Sequence, residues 1–122
     1  MHLGHRYARV VCADGFNMSV QANSGAYCTP PDNEGPYYQL EVGFPSARCA
    51  TLFEYAEDPS KPTQTVYGYV PSDTILRCIE AHGGMVDGEL PPMDLVTAYK
   101  VAADGGHHPW VQAGQYRRAV KK

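Results

Sequence analysis

The chain has 122 residues, enough for one hydrophobic core and too few for two ordinary ones, so a single domain spanning 1–122 is expected. Its 43% hydrophobic and 19% charged residues exclude a disordered chain, and no apolar run approaches the roughly 18 residues of a membrane-spanning helix. A formal net charge of −3, with basic residues scattered until the C-terminus, argues against nucleic-acid binding. The polar N-terminus shows no secretory signal, so a cytoplasmic protein is expected.

Residues 7–21 are predicted to form a β-hairpin, because Asp14-Gly15 between two apolar runs is a strong turn signal. If these two residues alone form the turn, Val11 lies opposite Met18. The face directed to the core then carries Val11, Phe16, Met18 and Val20.

Residues 22–36 form the longest irregular segment, rich in Asn, Ser, Gly, Pro and Asp around Tyr27 and Cys28. This length exceeds what a strand connection requires, and such loops are often functional. Residues 37–44 then alternate in polarity and predict a strand.

Three further segments continue the pattern before the C-terminus. Ser46 is a plausible N-cap for a short helix over 47–55, and residues 65–70 predict a strand that projects Tyr67 and Tyr69 from one face. The clearest helix follows Pro71-Ser72-Asp73 and is stopped by Gly83-Gly84. Asp94 predicts the cap of a last short helix over 95–101.

Residues 107–122 are expected to form a loop-like tail. The order of elements favours an α+β fold, a small antiparallel sheet of about four strands with two or three helices on one face. Such a sheet leaves edges exposed, and we therefore expect a homo-oligomer.

The four cysteines, Cys12, Cys28, Cys49 and Cys78, are separated by 16, 21 and 29 residues and include no CxxC pair. In a reducing compartment they are expected to be free, buried thiols. Cys78 and His82 have helical spacing, and a metal site that His107-His108 complete is the weaker alternative. A buried thiol beside a helix-terminal histidine is favoured, so no metal and no cofactor are predicted.

No catalytic residue is predicted. The sequence lacks a GxSxG motif and any glycine-rich phosphate loop. A nucleophilic Cys28 approached by His82, His107 or His108 is the weaker alternative, which keeps a small hydrolase or nucleotide-modifying enzyme open.

The nine tyrosines are the most distinctive feature of the composition. Several belong to the long loop or to strands that could adjoin it, and a tyrosine offers flat contact area plus a hydroxyl, which suits a ligand or a protein interface. Filling of a small core is the competing interpretation. The predicted ligand-binding set is Tyr27, Tyr37, Tyr38, Tyr69 and Arg9.

A string of short motifs carries a resemblance to a known group. These are Val11-Cys12-Ala13-Asp14-Gly15-Phe16, Met18-Ser19-Val20-Gln21-Ala22, Gly35-Pro36-Tyr37, Glu41-Val42-Gly43-Phe44-Pro45-Ser46, Tyr55-Ala56-Glu57-Asp58-Pro59 and Val66-Tyr67-Gly68-Tyr69-Val70-Pro71. Over residues 8–92 the chain resembles small accessory proteins encoded by tailed bacteriophages and prophages. It departs from them at Pro31, where a basic residue is common, and after Met93.

The resemblance implies a host-interaction protein that counters defence by stoichiometric binding and not by catalysis. Its partner would be a host defence protein or a nucleotide-like small molecule, and the second form resembles the anti-Thoeris signal-sequestering proteins in scale and context. A minor virion structural or assembly protein is a further alternative to the enzyme.

Overall fold

The computed structural model describes residues 5–103. The predicted tail at 107–122 lies outside the described residues. The elements in chain order are β1 (Val10–Cys12), β2 (Asn17–Gln21), β3 (Gln39–Gly43), a 3-10 helix (Phe53–Tyr55), β4 (Val66–Pro71), α1 (Ser72–Ala81), β5 (Met85–Asp87) and α2 (Leu95–Ala103).

The strands form one five-stranded sheet in the order β4-β3-β2-β1-β5, and each neighbouring pair is antiparallel. With two α-helices, this confirms the predicted α+β class. The strand that the sequence does not predict is β5, which pairs with β1 at Cys12↔Met85 and Val11↔Asp87. Three residues are too few to show a period of two, so β5 is defined by its pairing and not by its own pattern.

One hydrophobic core lies between the inner face of the sheet and α1. The strands contribute Val10, Met18, Val20, Leu40, Val42 and Val70, and α1 contributes Ile75, Cys78 and Ile79. These side chains are removed from water by the packing of α1 on the sheet, which is the main stabilising contribution in a domain of this size. The opposite, outer face carries polar side chains, among them Ser19 and Glu41.

The β1–β2 hairpin forms as predicted, but its register is different. Val10, and not Val11, lies opposite Met18, and Val10 is fully buried. The loop holds three residues, because the Cys12 N–H donates to the Phe16 carbonyl at 2.8 Å and the Cys12 carbonyl accepts the Gly15 N–H at 2.9 Å. Gly15 has φ +98°, which forms the bulge of a three-residue hairpin loop. The added residue moves the register by one position and turns Val11 away from the core.

A second irregularity separates Tyr67 from Tyr69 in β4. Leu40 pairs with Val70 whereas Val42 pairs with Tyr67, so the register shifts between these pairs. Tyr67 is fully buried, while Tyr69 has φ +54° and lies outside the core. The prediction that both rings project from one face is therefore wrong, because the bulge breaks the alternation of the strand.

The helix predicted over 47–55 reduces to the 3-10 helix Phe53–Tyr55, preceded by turns. The N–H groups of Leu52 and Tyr55 donate to carbonyls three residues back, at 3.0 and 2.9 Å. A segment this short does not recover the cost of nucleating an α-helix, so the burial of Cys49 and Leu52 determines its path.

The predicted glycine stop of α1 and the predicted Asp94 cap of α2 are confirmed, whereas α1 begins after Pro71 without a side-chain cap. Gly83 (φ +93°) and Gly84 (φ +92°) follow α1, and the Gly84 N–H donates to the Ile79 carbonyl at 3.0 Å. Asp94 caps α2 by accepting the Thr97 N–H at 2.9 Å. Among residues 5–103, no helix combines the length and apolar character needed to cross a bilayer.

Candidate functional site

Two of the predicted binding residues, Tyr27 and Tyr69, form a stacked pair at the surface. Their ring centroids are 5.9 Å apart with an interplanar angle of 28°, and the Tyr69 N–H donates to the Tyr27 carbonyl at 3.1 Å. Tyr27 is 45% exposed. We call these two residues the tyrosine pair. It joins the long loop to β4 and presents aromatic surface to solvent.

The outer face of the sheet holds Tyr27 in place. The Glu41 carboxylate, on β3, accepts the Tyr27 N–H at 2.9 Å. Within the loop, the Asn33 side chain accepts the Ser24 N–H at 2.8 Å, and Asp32 accepts the Gly35 N–H at 2.9 Å. The N–H groups of Gly35 and Glu34, which donate to Asp32, lower the pKa of its carboxyl group. The loop therefore has a defined conformation in which Tyr27 is presented rather than buried.

Tyr69 and Phe44 both adopt left-handed backbone conformations, with φ of +54° and +49°. A bulky residue rarely does so, and such strain is concentrated at functional sites. Burial raises the pKa of Tyr69, and nearby Cys28 and Tyr27 contribute in the same direction. Phe44 is 50% exposed. Two strained aromatic positions therefore lie outside the core of this small sheet.

The structure places Tyr37 in the core, apart from the tyrosine pair. Tyr37 is 1% exposed, its hydroxyl donates to the Asp32 carbonyl at 2.8 Å, and burial raises its pKa to about 12. Tyr38 is half-buried, and burial raises its pKa as well. The core interpretation therefore describes Tyr37, and the surface interpretation describes Tyr27.

Arg9 is exposed but lies with Phe44 and Asn17. Its guanidinium donates to the Asn17 side chain at 2.6 Å and to the Phe44 carbonyl. These contacts tie the residue before β1 to the first residue of β2 and to the residue that follows β3. The structure thus associates Arg9 with the strained Phe44 and not with the tyrosine pair.

A second candidate site is a cluster of two buried cysteines, Cys49 and Cys78, with the partly exposed His82. Cys49 and Cys78 are 6% and 0% exposed, and their Sγ atoms are 3.0 Å apart. One ligand-type atom from each of the three residues lies within 4.8 Å of the other two. The helical spacing indicates Cys78 and His82, but no sequence signal pairs them with Cys49, which lies in an irregular segment.

Asp14 and Phe16 of the hairpin complete the surroundings of His82. The Asp14 carboxylate is 2.8 Å from His82 Nδ1, and the Phe16 ring stacks on the imidazole at 3.9 Å and 7°. The hydrogen bond to Asp14 raises the pKa of His82. The Phe16 N–H and then His82 lower the pKa of Asp14. His82 is thereby fixed in position and orientation.

The thiols of this cluster differ in acidity. Burial opposes ionisation of Cys49, but hydrogen bonds from Cys78 and His82 outweigh it and lower the pKa of Cys49. Burial and the neighbouring Cys49 raise the pKa of Cys78. Cys49 is therefore the more acidic of the two thiols.

Of the histidines considered as partners of a nucleophilic Cys28, His82 does not pair with it. The Cys28 thiol is buried and lies 3.1 Å from the Asn23 carbonyl, whereas His82 is engaged by Asp14. Burial raises the pKa of Cys28, which disfavours the thiolate. His107 and His108 lie outside the described residues.

A cleft of about 410 Å³ lies between α1 and α2. Asp73 lines it, with Oδ2 bound to Arg77 at 2.6 Å and Oδ1 buried without a hydrogen-bond partner. Leu76, Ile79 and Tyr99 supply the apolar part of its lining. None of the predicted binding residues lines this cleft.

Comparisons with known protein families, with curated proteins and with solved structures find no match to this chain.

Proposed function

We propose that this protein acts by stoichiometric binding through the tyrosine pair and the loop that carries it. The observation that carries the proposal is the stacking of Tyr27 on Tyr69 with Tyr27 left 45% exposed while Glu41 holds its backbone. An ordered, exposed aromatic surface needs little further ordering when a partner binds, and tyrosine is enriched among residues that dominate binding energy.

A host defence protein is the partner that this surface favours. A nucleotide-sequestering site needs a nearly closed pocket that buries most of its ligand, whereas Tyr27 lies open to solvent. An exposed stack beside a polar sheet face suits an interface with an aromatic centre and a polar rim. Together with the resemblance to phage accessory proteins, this supports an inhibitor that occludes a defence protein in the host-cell cytoplasm. Sequestration of a nucleotide signal is the second form of the proposal, and the test below distinguishes the two.

The test uses bacteria that carry individual defence systems and express this protein. We expect wild type to restore phage plating against one system and to copurify with one of its proteins. The Tyr27→Ala/Tyr69→Ala double variant should lose both properties. Tyr99→Ala is the matched control, since Tyr99 is 58% exposed on α2 and outside the pair.

Thermal unfolding of the same variants separates binding from folding. A double variant that retains both restoration and copurification would contradict the proposed surface. If wild type instead releases an intact nucleotide after heat denaturation, the sequestering form holds, and release of a chemically altered nucleotide would establish an enzyme. Copurification with virions alone would support a structural protein.

A further inference from the structure

The cluster of Cys49, Cys78 and His82 has the composition of a site for a zinc-class cation. Thiolate and imidazole are the ligands that Zn²⁺ prefers in proteins, and a site with three protein ligands retains one exchangeable position. The three residues come from a loop and from the C-terminal end of α1, so the fold itself brings them together.

The spacing of the donor atoms fits such an ion after a small adjustment. Two Zn–S bonds of about 2.3 Å at the tetrahedral angle place their sulfurs about 3.8 Å apart. The Cys49 and Cys78 sulfurs are 3.0 Å apart, and no pair of ligand atoms in the cluster exceeds 4.8 Å. A side-chain rotation that moves one Sγ atom by about 0.8 Å therefore opens the required separation between the two sulfurs.

Charge balance favours the cation in this buried position. Binding of Zn²⁺ displaces one proton from each thiol to solvent, and two thiolates with a neutral imidazole then leave a site of zero net charge. A neutral site avoids the cost of burying an unpaired charge. It also gives both sulfurs a strong partner in place of weak thiol hydrogen bonds such as the one between Cys49 and Cys78.

Asp14 and Phe16 supply what a metal-binding histidine ordinarily needs around it. Asp14 engages His82 Nδ1 at 2.8 Å, which leaves Nε2 as the nitrogen for the ion. A carboxylate on the distal ring nitrogen fixes the tautomer and raises the basicity of the ligand. The parallel Phe16 ring, 3.9 Å away, restricts rotation of the imidazole.

We propose that Cys49, Cys78 and His82 bind one Zn²⁺ ion, with Asp14 as the positioning residue for His82. The ion joins the loop after β3 to the end of α1, and the Asp14 hydrogen bond to His82 adds the β1–β2 turn. Such a link stabilises the folded state, because the unfolded chain does not hold the three ligands together. The site shares no residue with the tyrosine pair, so this proposal does not depend on the proposed function.

The test is titration of the reduced, full-length protein with Zn²⁺ and with Co²⁺ as the spectroscopic probe. We expect one ion per chain and a cobalt spectrum with tetrahedral d–d bands and charge-transfer absorption from two thiolates. This readout on wild type needs no variant. Cys49→Ser and Cys78→Ser should each lose about half of the charge-transfer intensity, and Asp14→Asn should weaken affinity about 10- to 100-fold while keeping the spectrum.

Two controls make the assignment specific. Cys28→Ser removes another buried thiol, one that contacts the Asn23 carbonyl, and should bind as wild type does. His107→Ala/His108→Ala should also bind normally. Loss of cobalt charge transfer in either control would overturn the ligand set. So would wild-type protein that binds no ion, whether its Cys49 and Cys78 thiols stay free or form a disulfide on oxidation.

Discussion

The Asp14 carboxylate is hydrogen-bonded to His82 Nδ1 at 2.8 Å, although 68 positions separate the two residues in the sequence. One residue therefore serves two structures. Its carboxylate accepts the Phe16 N–H at 2.9 Å within the hairpin loop and also fixes the residue that ends α1. The hairpin loop is consequently part of the support for the buried cysteine cluster.

The conformation of that loop depends on Gly15. We expect Gly15→Ala to lower the free energy of unfolding by about 1 to 2 kcal/mol, because φ of +98° is unfavourable for a residue with a Cβ. Apart from Gly15 and its two chain neighbours, nothing lies within 4 Å of the added Cβ, so the effect is conformational and not a clash with packed residues. Urea denaturation measures it, with Gly25→Ala as the control at a glycine without positive φ. Equal stability of the two variants would contradict the loop conformation.

Tyr37 is expected to matter for folding more than Tyr27. Removing the buried ring in Tyr37→Ala should lower the free energy of unfolding by roughly 3 to 5 kcal/mol. Tyr37→Phe keeps the ring but loses the hydrogen bond to the Asp32 carbonyl, at a cost of about 1 kcal/mol. Tyr27→Ala should change the free energy of unfolding by less than Tyr37→Ala or Tyr37→Phe does, since Tyr27 is 45% exposed. Thermal and urea unfolding would show the reverse order if Tyr37 were the surface residue.

The cap of α2 should make part of the stability depend on pH. The Thr97 side chain and N–H lower the pKa of Asp94 below its ordinary value of 3.8. A carboxyl with a lowered pKa stabilises the folded state above its unfolded pKa and loses that contribution as the pH falls through the folded pKa. Asp94→Ala should therefore cost about 1 kcal/mol at neutral pH, and less once both forms are measured in acid below that range. If the difference in unfolding free energy between wild type and Asp94→Ala did not change with pH, the charged cap would be excluded.

The edge strand β5 is where we expect self-association. Met85 and Val86 are 41% and 66% exposed there, and an exposed edge favours pairing with a second copy. Val86→Lys should shift the sedimentation profile toward monomer, because a charge on the edge opposes pairing. Val96→Lys on α2, at a position 65% exposed, should leave the profile unchanged. Wild type that remains monomeric at high concentration would contradict this expectation.

The sequence by itself predicts the elements whose stability is local. The glycine stop after α1 and the Asp94 cap of α2 involve residues within a few positions of one another, so their signals survive without knowledge of the fold. The alternation that predicts β3 is also local, and Leu40 and Val42 are fully buried as it requires. The α+β class follows from the order of these elements.

Only the tertiary structure decides the register of β1, the separation of Tyr67 from Tyr69, and the existence of β5. Each depends on one bulge or one strand pairing, and a single inserted residue exchanges the two faces of a strand. The exposure of Tyr27 and the burial of Tyr37 belong to the same class. Tyr27 lies in the irregular segment 22–36 and Tyr37 directly follows it, and no hydrophobic periodicity in the sequence distinguishes the two.

The cysteine cluster shows the same limit most directly. Cys49 lies in a segment without regular periodicity, 29 residues before Cys78, and the spacing carries no indication that their sulfurs meet. They meet because Cys49 and Leu52 are buried against the core to which α1 contributes Cys78. Contacts of that kind arise from the packing of the whole domain, where the burial of apolar surface selects one arrangement that no short stretch of sequence encodes.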